Sequence, residues 1–86
     1  MPRNRRSTDP VDLAFSATLR AARAITGLSQ MDIGVMAGLD GSYVGWIEQG
    51  HGCTLRSAVR LARVLGISLD QIMDDADNGT WKEAQS

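Results

Sequence analysis

The stretch 28–50, LSQMDIGVMAGLDGSYVGWIEQG, constrains the fold most, because its 23 residues contain two helix starts and two helix stops. Ser29 and Asp40 are favourable N-cap residues, since their side-chain oxygens can accept hydrogen bonds from the free amides of a first helical turn. Gly38 and Gly50 each follow about two to three turns later, and glycine readily takes the left-handed conformation that ends a helix. The pattern predicts two short helices joined by a tight turn.

Apolar residues recur at helical spacing in both short helices. In the first, Ile33, Met36 and Ala37 are expected to share one face. In the second, Val44 and Ile47 are three residues apart and are expected to face inward. Each helix is therefore predicted to bury one side against the rest of the domain.

The flanking sequence predicts three further helices, so that the fold class is all-α with five helices in one compact domain. Thr8 or Asp9 can cap the first of them, and Pro10 suits its first position. The expected ranges are 10–26, 55–65 and 69–73. The apolar residues expected on their inner faces are Phe15, Leu19, Ala22, Ile25, Leu55, Ala58, Val59, Ala62 and Leu65.

Charge divides the chain into two parts. Residues 1–69 carry eight arginines and five acidic residues, a balance of +3, whereas residues 70–86 carry one lysine and five acidic residues, a balance of −4. We expect a flexible basic arm at residues 1–8, a helical domain at 9–73 and an acidic polar tail at 74–86.

The joint spacing of these signals resembles the helix-turn-helix family of phage Cro and repressor proteins, also called the Xre family. The residues that carry the resemblance are Gly27-Leu28-Ser29-Gln30, Ala37-Gly38-Leu39, Ser42-Tyr43-Val44 and Ile47-Glu48-Gln49-Gly50, extended by Arg23, Leu61-Ala62 and Leu65-Gly66-Ile67. The resemblance implies a domain of the phage repressor type with a central helix-turn-helix. It also implies that the second short helix, about residues 40–48, enters the major groove of DNA in a homodimer on a two-fold symmetric operator.

Three groups of candidate site residues follow from the resemblance and the residue types. Arg23 and Glu48 are expected to form a structural ion pair that ties the first helix to the end of the DNA-facing helix. The residues expected at the contact between subunits are Ile67, Leu69, Ile72 and Met73. The residues expected to bind DNA are Gln30, Gly41, Ser42, Tyr43, Gly45, Trp46, Gln49 and Arg56.

The predicted DNA-facing helix offers two glycines, a serine and a tryptophan, where bidentate side chains such as Arg, Gln or Asn discriminate bases best. One interpretation is that the glycines let the backbone lie close to the bases, while Ser42, Tyr43 and Trp46 make contacts and DNA shape adds specificity. The other is that this face binds a protein, since exposed aromatic residues with little charge are typical of interfaces. For Trp46 alone, an ordinary place in the core is a third interpretation.

Phosphate contacts are expected from Gln30, at the start of the first short helix, and from Arg56, at the start of the fourth helix. The balance of +3 is small for a protein that competes with counterions, so useful affinity is expected to need dimerisation. The arm, with Arg3, Arg5 and Arg6, is interpreted either as a disordered terminus or as an arm that reaches into a groove or along phosphates.

The sequence gives no indication of an enzyme, a metal or another cofactor. His51 and Cys53 stand two residues apart without a partner cluster, which does not make a zinc site, and no nucleophile–base pair or phosphate loop is visible. No apolar run approaches the length of a membrane span, and no secretory signal follows the basic N-terminus. With a single cysteine and no internal disulfide, the expectation is a cytoplasmic protein.

Two classes of function remain open. The first is a sequence-specific transcriptional regulator that binds double-stranded DNA as a homodimer and occludes or contacts RNA polymerase at a promoter. The second is a protein-interaction module of the same fold, such as an antitoxin or an anti-activator, with weak or no DNA binding.

Overall fold

The structure is a computed structural model that describes residues 6–85, with the side chains of residues 6–82. This part of the chain contains five α-helices, a final 3₁₀ segment and no strand. The elements are α1 (Pro10–Thr26), α2 (Gln30–Ala37), α3 (Gly41–Glu48), α4 (Leu55–Leu65), α5 (Leu69–Asn78) and the 3₁₀ segment Thr80–Gln85. The predicted all-α, five-helix fold is confirmed. Arg3 and Arg5 of the expected arm lie outside the described residues.

Side-chain caps fix the helix starts where the sequence places them. The Asp9 carboxylate accepts a hydrogen bond from the Val11 amide, and Pro10 occupies the first helical position, where a missing amide costs nothing. Ser29 and Asp32 each accept a hydrogen bond from the other's backbone amide, which closes the start of α2 with a capping box. These local interactions define the starts of the helices independently of tertiary packing.

The core lies where α1 meets the other helices. α1 contacts α3, α4, α5 and the 3₁₀ segment, so it is the central element of the fold. The buried apolar side chains of the core are Ala14, Phe15, Leu19, Ile33, Ala37, Val44, Ile47, Leu61 and Ile72. Because Val44 and Ile47 face inward as predicted, the opposite side of α3 is turned toward solvent.

Met36, which the pattern places in the core, is 58% exposed. α2 buries Ile33 and Ala37 as expected, but its third buried residue is Gly34 instead of Met36. A Cβ atom at position 34 would lie 2.6 Å from the Leu39 carbonyl oxygen, so only glycine fits this side of the helix against the following turn. That close contact rotates Met36 outward.

Ile25 and Leu55 are also exposed, at 87% and 75%, although both were expected on inner faces. Ile25 stands in the last turn of α1, and Leu55 is the first residue of α4. Within residues 6–82, no neighbouring element covers these terminal turns, so helical periodicity alone assigns both residues to the wrong environment.

The described part of the acidic C-terminal region is helical. α5 continues to Asn78 instead of ending at Met73, so the expected boundary between domain and tail falls inside a helix. The Asp75 carboxylate accepts hydrogen bonds from Gln71 Nε2 at 3.0 Å and Thr80 Oγ1 at 2.9 Å, which joins α5 to the 3₁₀ segment. Trp81 then packs half-buried against the core.

Trp81 is expected to contribute measurably to stability. Replacing it with alanine should lower the free energy of unfolding by about 2 kcal/mol, less than for a fully buried aromatic residue, because part of the ring is exposed. Chemical denaturation followed by circular dichroism measures this loss. Asp77→Ala, at an exposed position of α5, is the control and should change stability little. Equal effects of the two substitutions would show that Trp81 makes no stabilising contact.

Candidate nucleic-acid interface

The turn between α2 and α3 is held by backbone and side-chain hydrogen bonds. The Leu39 amide donates to the Gly34 carbonyl at 2.7 Å. The Asp40 carboxylate accepts from the Ser42 amide at 3.0 Å and from the Ser42 hydroxyl at 2.9 Å. These bonds, chiefly that from the amide, hold the pKa of Asp40 below its usual value. The start of α3 is therefore fixed, and a carboxylate sits at its positive end.

The solvent-facing side of α3 consists of a few side chains. Ser42 and Gln49 are exposed, whereas Tyr43 and Trp46 are half-buried. Because the Ser42 hydroxyl donates to Asp40, its lone pairs remain available to accept a hydrogen bond from outside. Helical spacing places Ser42, Trp46 and Gln49 on one side at α3, whereas Tyr43 packs partly against the core.

The two glycines of α3 lie toward α2 instead of outward. Gly45 is buried, and a Cβ atom there would lie 2.8 Å from the Gln30 carboxamide oxygen. A Cβ atom at Gly41 would lie 2.9 Å from the Met31 Cα atom. The expectation that these glycines face the bases is therefore wrong for Gly45, and both explain instead how closely α2 and α3 pack.

The predicted ion pair between Arg23 and Glu48 is present and forms the centre of a network. Arg23 Nε donates to Glu48 Oε2 at 2.5 Å, and Arg23 Nη2 donates to Glu48 Oε1 at 3.0 Å. Gln30 Nε2 donates to the same Oε1 atom at 3.1 Å. Glu48 is only 4% exposed, and its hydrogen bonds with Arg23 raise the pKa of the guanidinium. One buried carboxylate thus connects α1, α2 and α3.

Ser16 and Arg20 belong to the same network, although the sequence did not single them out as site residues. The Ser16 hydroxyl donates to the Glu48 backbone carbonyl at 2.8 Å, and Arg20 Nη1 donates to that carbonyl at 2.6 Å. This carbonyl lies at the end of α3, where no amide of the helix is available to bond it. With Arg23, these residues form a polar stripe at i, i+4 and i+7 along α1, which is the signal that could have found them.

Trp46 is covered on one side by the loop that follows α3. Its ring stacks on the His51 imidazole, with 3.6 Å between centroids and 12° between planes. His51 is 5% exposed, and the Ser7 amide donates to the Gly50 carbonyl at 3.0 Å, so the loop is held against the start of the chain. Trp46 is therefore neither a core residue nor a fully exposed one, since one face packs internally.

The remaining candidate residues divide by exposure. Arg56 is exposed and Gln30 is half-buried. At the expected subunit contact, Leu69 and Met73 are 37% and 60% exposed, but Ile72 is only 3% exposed. Because Ile72 belongs to the domain's own core, the expectation that it contacts a second subunit is wrong. Ile67 is half-buried and also packs against the core.

Neither the Cys53 thiol nor the arrangement of the acidic residues has the properties of a reactive site. Burial is the main cause that raises the pKa of the Cys53 thiol to about 11, so the thiolate needed for nucleophilic attack is scarce at neutral pH. Among the described residues, no three His, Cys, Asp or Glu side chains are grouped closely enough to hold a metal ion. No helix in that part of the chain is long and apolar enough to cross a membrane.

A family model described as a helix-turn-helix domain matches residues 14–73, from the first turns of α1 into α5. The chain belongs to the helix-turn-helix domain family. No curated protein and no solved structure matches the chain. The matched part of this helix-turn-helix domain contains α2, α3, the turn between them and all residues of the Glu48 network.

Removing the Glu48 carboxylate should destabilise the helix-turn-helix domain, because it leaves Arg23 without its buried partner. Glu48→Ala is expected to lower the free energy of unfolding by about 3 kcal/mol, as when one partner of a buried ion pair is lost. Asp12→Ala is the control, since Asp12 is only half-buried and accepts a hydrogen bond from the Ser7 hydroxyl, at 2.6 Å, near the start of α1. Thermal melts should show a much larger decrease for Glu48→Ala, and equal small decreases would contradict the prediction.

Alanine substitutions at the two glycines of α3 are expected to differ. At Gly45 the new methyl group meets the movable end of Gln30, and alanine gains about 1 kcal/mol of helix propensity, so stability should hardly fall. At Gly41 it meets the Met31 backbone, which cannot move aside, and the expected loss is about 2 kcal/mol. Urea denaturation compares the two variants, and a larger loss for Gly45→Ala would refute this account of the packing.

Proposed function

We propose that the chain is a sequence-specific DNA-binding transcriptional regulator of the Cro and repressor, or Xre, type. It binds double-stranded DNA as a homodimer on a two-fold symmetric operator, with α3 in the major groove and half-sites about 34 Å apart, one turn of the duplex. The observation that carries this proposal is the placement of α3. Its inner side is anchored in the core, its end is fixed by Glu48, and its outer side is presented on a rigid support.

Base contacts come from the exposed side of α3. The Ser42 hydroxyl and the Gln49 carboxamide supply hydrogen-bonding groups, and the Trp46 ring supplies an apolar edge suited to a thymine methyl group or a sugar. This set contains only one bidentate side chain, so discrimination between bases depends also on the shape and deformability of the operator. A half-buried Tyr43 beside these residues offers its hydroxyl to a phosphate or a base.

Two carboxylates limit the phosphate contacts that the starts of α2 and α3 can make. Asp32 and Asp40 cap the amides at the starts of α2 and α3, so these helix ends are less attractive to an anion than uncapped ones. The groups left for the phosphates are neutral or cationic side chains, chiefly Gln30, the exposed Arg56 and the exposed Arg6. One domain has a small net positive charge and therefore few phosphate contacts. Binding as a dimer doubles the number of these contacts and so raises the affinity.

A second candidate function is supported by the surface of α2. Met31, Val35 and Met36 are 71%, 76% and 58% exposed on this one short helix, whose only charged residue is the capping Asp32. Exposed apolar residues on adjacent turns are typical of a surface that contacts another protein. This observation favours a protein partner, such as RNA polymerase for a regulator or a target protein for an antitoxin or anti-activator.

Selection of bound duplexes from a random DNA pool at two salt concentrations tests the regulator directly. We expect a two-fold symmetric consensus and an affinity that falls steeply with salt. Absence of any enriched sequence, with the protein folded, would overturn the proposal and leave the protein-interaction module.

The selected duplex then allows individual contacts to be tested. Trp46→Ala and Gln49→Ala should each weaken binding by about tenfold, the effect of losing one good base contact. Gln71→Ala, at an exposed position of α5, is the control for Gln49→Ala and should leave DNA affinity unchanged. Binding is measured by fluorescence anisotropy at fixed salt, and a control that weakens binding as much as the α3 variants would contradict the assignment of α3.

A further inference from the structure

One residue before α1, Ser7, is bonded both to the loop that follows α3 and to the first turns of α1. Its amide donates a hydrogen bond to the Gly50 carbonyl at 3.0 Å, and its hydroxyl donates to Asp12 Oδ2 at 2.6 Å. A hydroxyl–carboxylate bond of this length is charge-assisted and stronger than a bond between neutral groups. The same hydroxyl accepts a hydrogen bond from the Asp9 amide at 3.0 Å, so the orientation of the Ser7 side chain is fixed.

The loop is held on both sides of His51. On one side, Gly50 is buried, has a φ of +100° and carries the carbonyl that Ser7 bonds. On the other side, a Cβ atom at Gly52 would lie 3.0 Å from Asp12 Oδ2, the oxygen that accepts the Ser7 hydroxyl. Ser7 therefore acts on both neighbours of His51, through its amide on Gly50 and through Asp12 on Gly52.

His51 carries this constraint to α3. Its ring is 5% exposed and stacks on the Trp46 ring, with 3.6 Å between centroids and 12° between planes. Two rings stacked at this distance limit each other's rotation, because turning either ring breaks the face-to-face contact. The direction of the Trp46 ring edge, which the proposed function offers to a base, thus depends on where the loop holds His51.

We propose that Ser7 is a positioning residue for DNA recognition. It fixes the loop through Gly50 and Asp12, the loop fixes His51, and His51 fixes the Trp46 ring in the orientation that meets a base. Ser7 itself needs no contact with DNA. This inference rests on the proposed function, since it explains how the base contact named there is oriented.

The role assigned to Ser7 depends on hydrogen bonds and not on positive charge, which separates it from the phosphate contact of Arg6. Removing the Ser7 hydroxyl leaves the number of phosphate contacts unchanged. The affinity for DNA should therefore fall by the same factor at every salt concentration, whereas the loss of a phosphate contact makes the salt dependence less steep.

Time-resolved fluorescence anisotropy without DNA tests whether Ser7 holds the Trp46 ring. Trp81→Phe leaves Trp46 as the single tryptophan of the chain and serves as the parent. In this parent, Ser7→Ala should lower the residual anisotropy of Trp46, because the ring gains freedom on the nanosecond timescale. Ser7→Thr retains the hydroxyl and should restore the parent value. Thr8→Ala, which removes a hydroxyl at the exposed neighbouring position, is the matched control and should change nothing.

A double-mutant cycle on the selected duplex tests whether this orientation matters for DNA. At fixed salt, Ser7→Ala should weaken binding about fivefold in the natural sequence, but less than about twofold when Trp46 is already alanine. A residue that only stabilises the fold would lower the affinity by the same factor in both backgrounds. Circular dichroism first establishes that every variant is folded.

The outcomes separate this inference from the proposed function. If Ser7→Ala and Thr8→Ala leave the same Trp46 anisotropy, or if Ser7→Ala costs the same factor with and without Trp46, Ser7 does not position the ring and the inference is refuted. A protein that binds its operator equally well with and without the Ser7 hydroxyl refutes the inference alone. A protein that selects no operator refutes both, because no base contact then exists to be positioned.

Discussion

A carboxylate taken out of water has to be surrounded by hydrogen-bond donors, and Glu48 meets this requirement with donors from two other helices. Arg23 of α1 supplies two hydrogen bonds, and Gln30 of α2 supplies a third. Any rotation of α3 relative to these helices would leave charge buried without compensation, at a cost of several kcal/mol. The orientation of α3 is therefore fixed by electrostatics as well as by the packing of Val44 and Ile47.

The same carboxylate explains the composition of α3. Gln30 reaches Glu48 across Gly45, where its carboxamide lies close to the position that a Cβ atom would take. The glycines that look unsuited to a DNA-reading helix thus allow its close contact with α2, and the restriction is stricter at Gly41, which faces the Met31 backbone, than at Gly45. α3 therefore presents few side chains to a partner. Most of the groups available for recognition belong to Ser42, Trp46 and Gln49.

Local chemistry made much of the fold predictable. The N-caps at Ser29 and Asp40 and the glycine stops depend on residues within one turn, so the sequence locates α2 and α3 closely. The Arg23–Glu48 pair joins residues far apart in the chain, and its position followed from the family resemblance and not from the sequence pattern.

Tertiary contacts explain what the sequence could not predict. Helical periodicity predicts that Met36 lies in the core, because a periodic pattern contains no information about the close contact between Gly34 and the following turn. The residues that extend α5, 74–78, are mostly polar and show no apolar periodicity, although Gly79 ends this helix in the left-handed conformation as Gly38 ends α2. Likewise, nothing local indicates that Ser16 bonds a carbonyl 32 residues away.

The polar stripe on α1 has a consequence for how the chain acquires its structure. Ser16, Arg20 and Arg23 belong to α1, which is synthesised before α3, and the acceptors they need are on Glu48, 25 to 32 residues later. Until Glu48 is available, Arg20 and Arg23 lack the acceptors that they have in the folded domain and remain hydrated. The orientation of α3 is therefore fixed only after residue 48 has been synthesised, when the Glu48 carboxylate leaves water and accepts its hydrogen bonds.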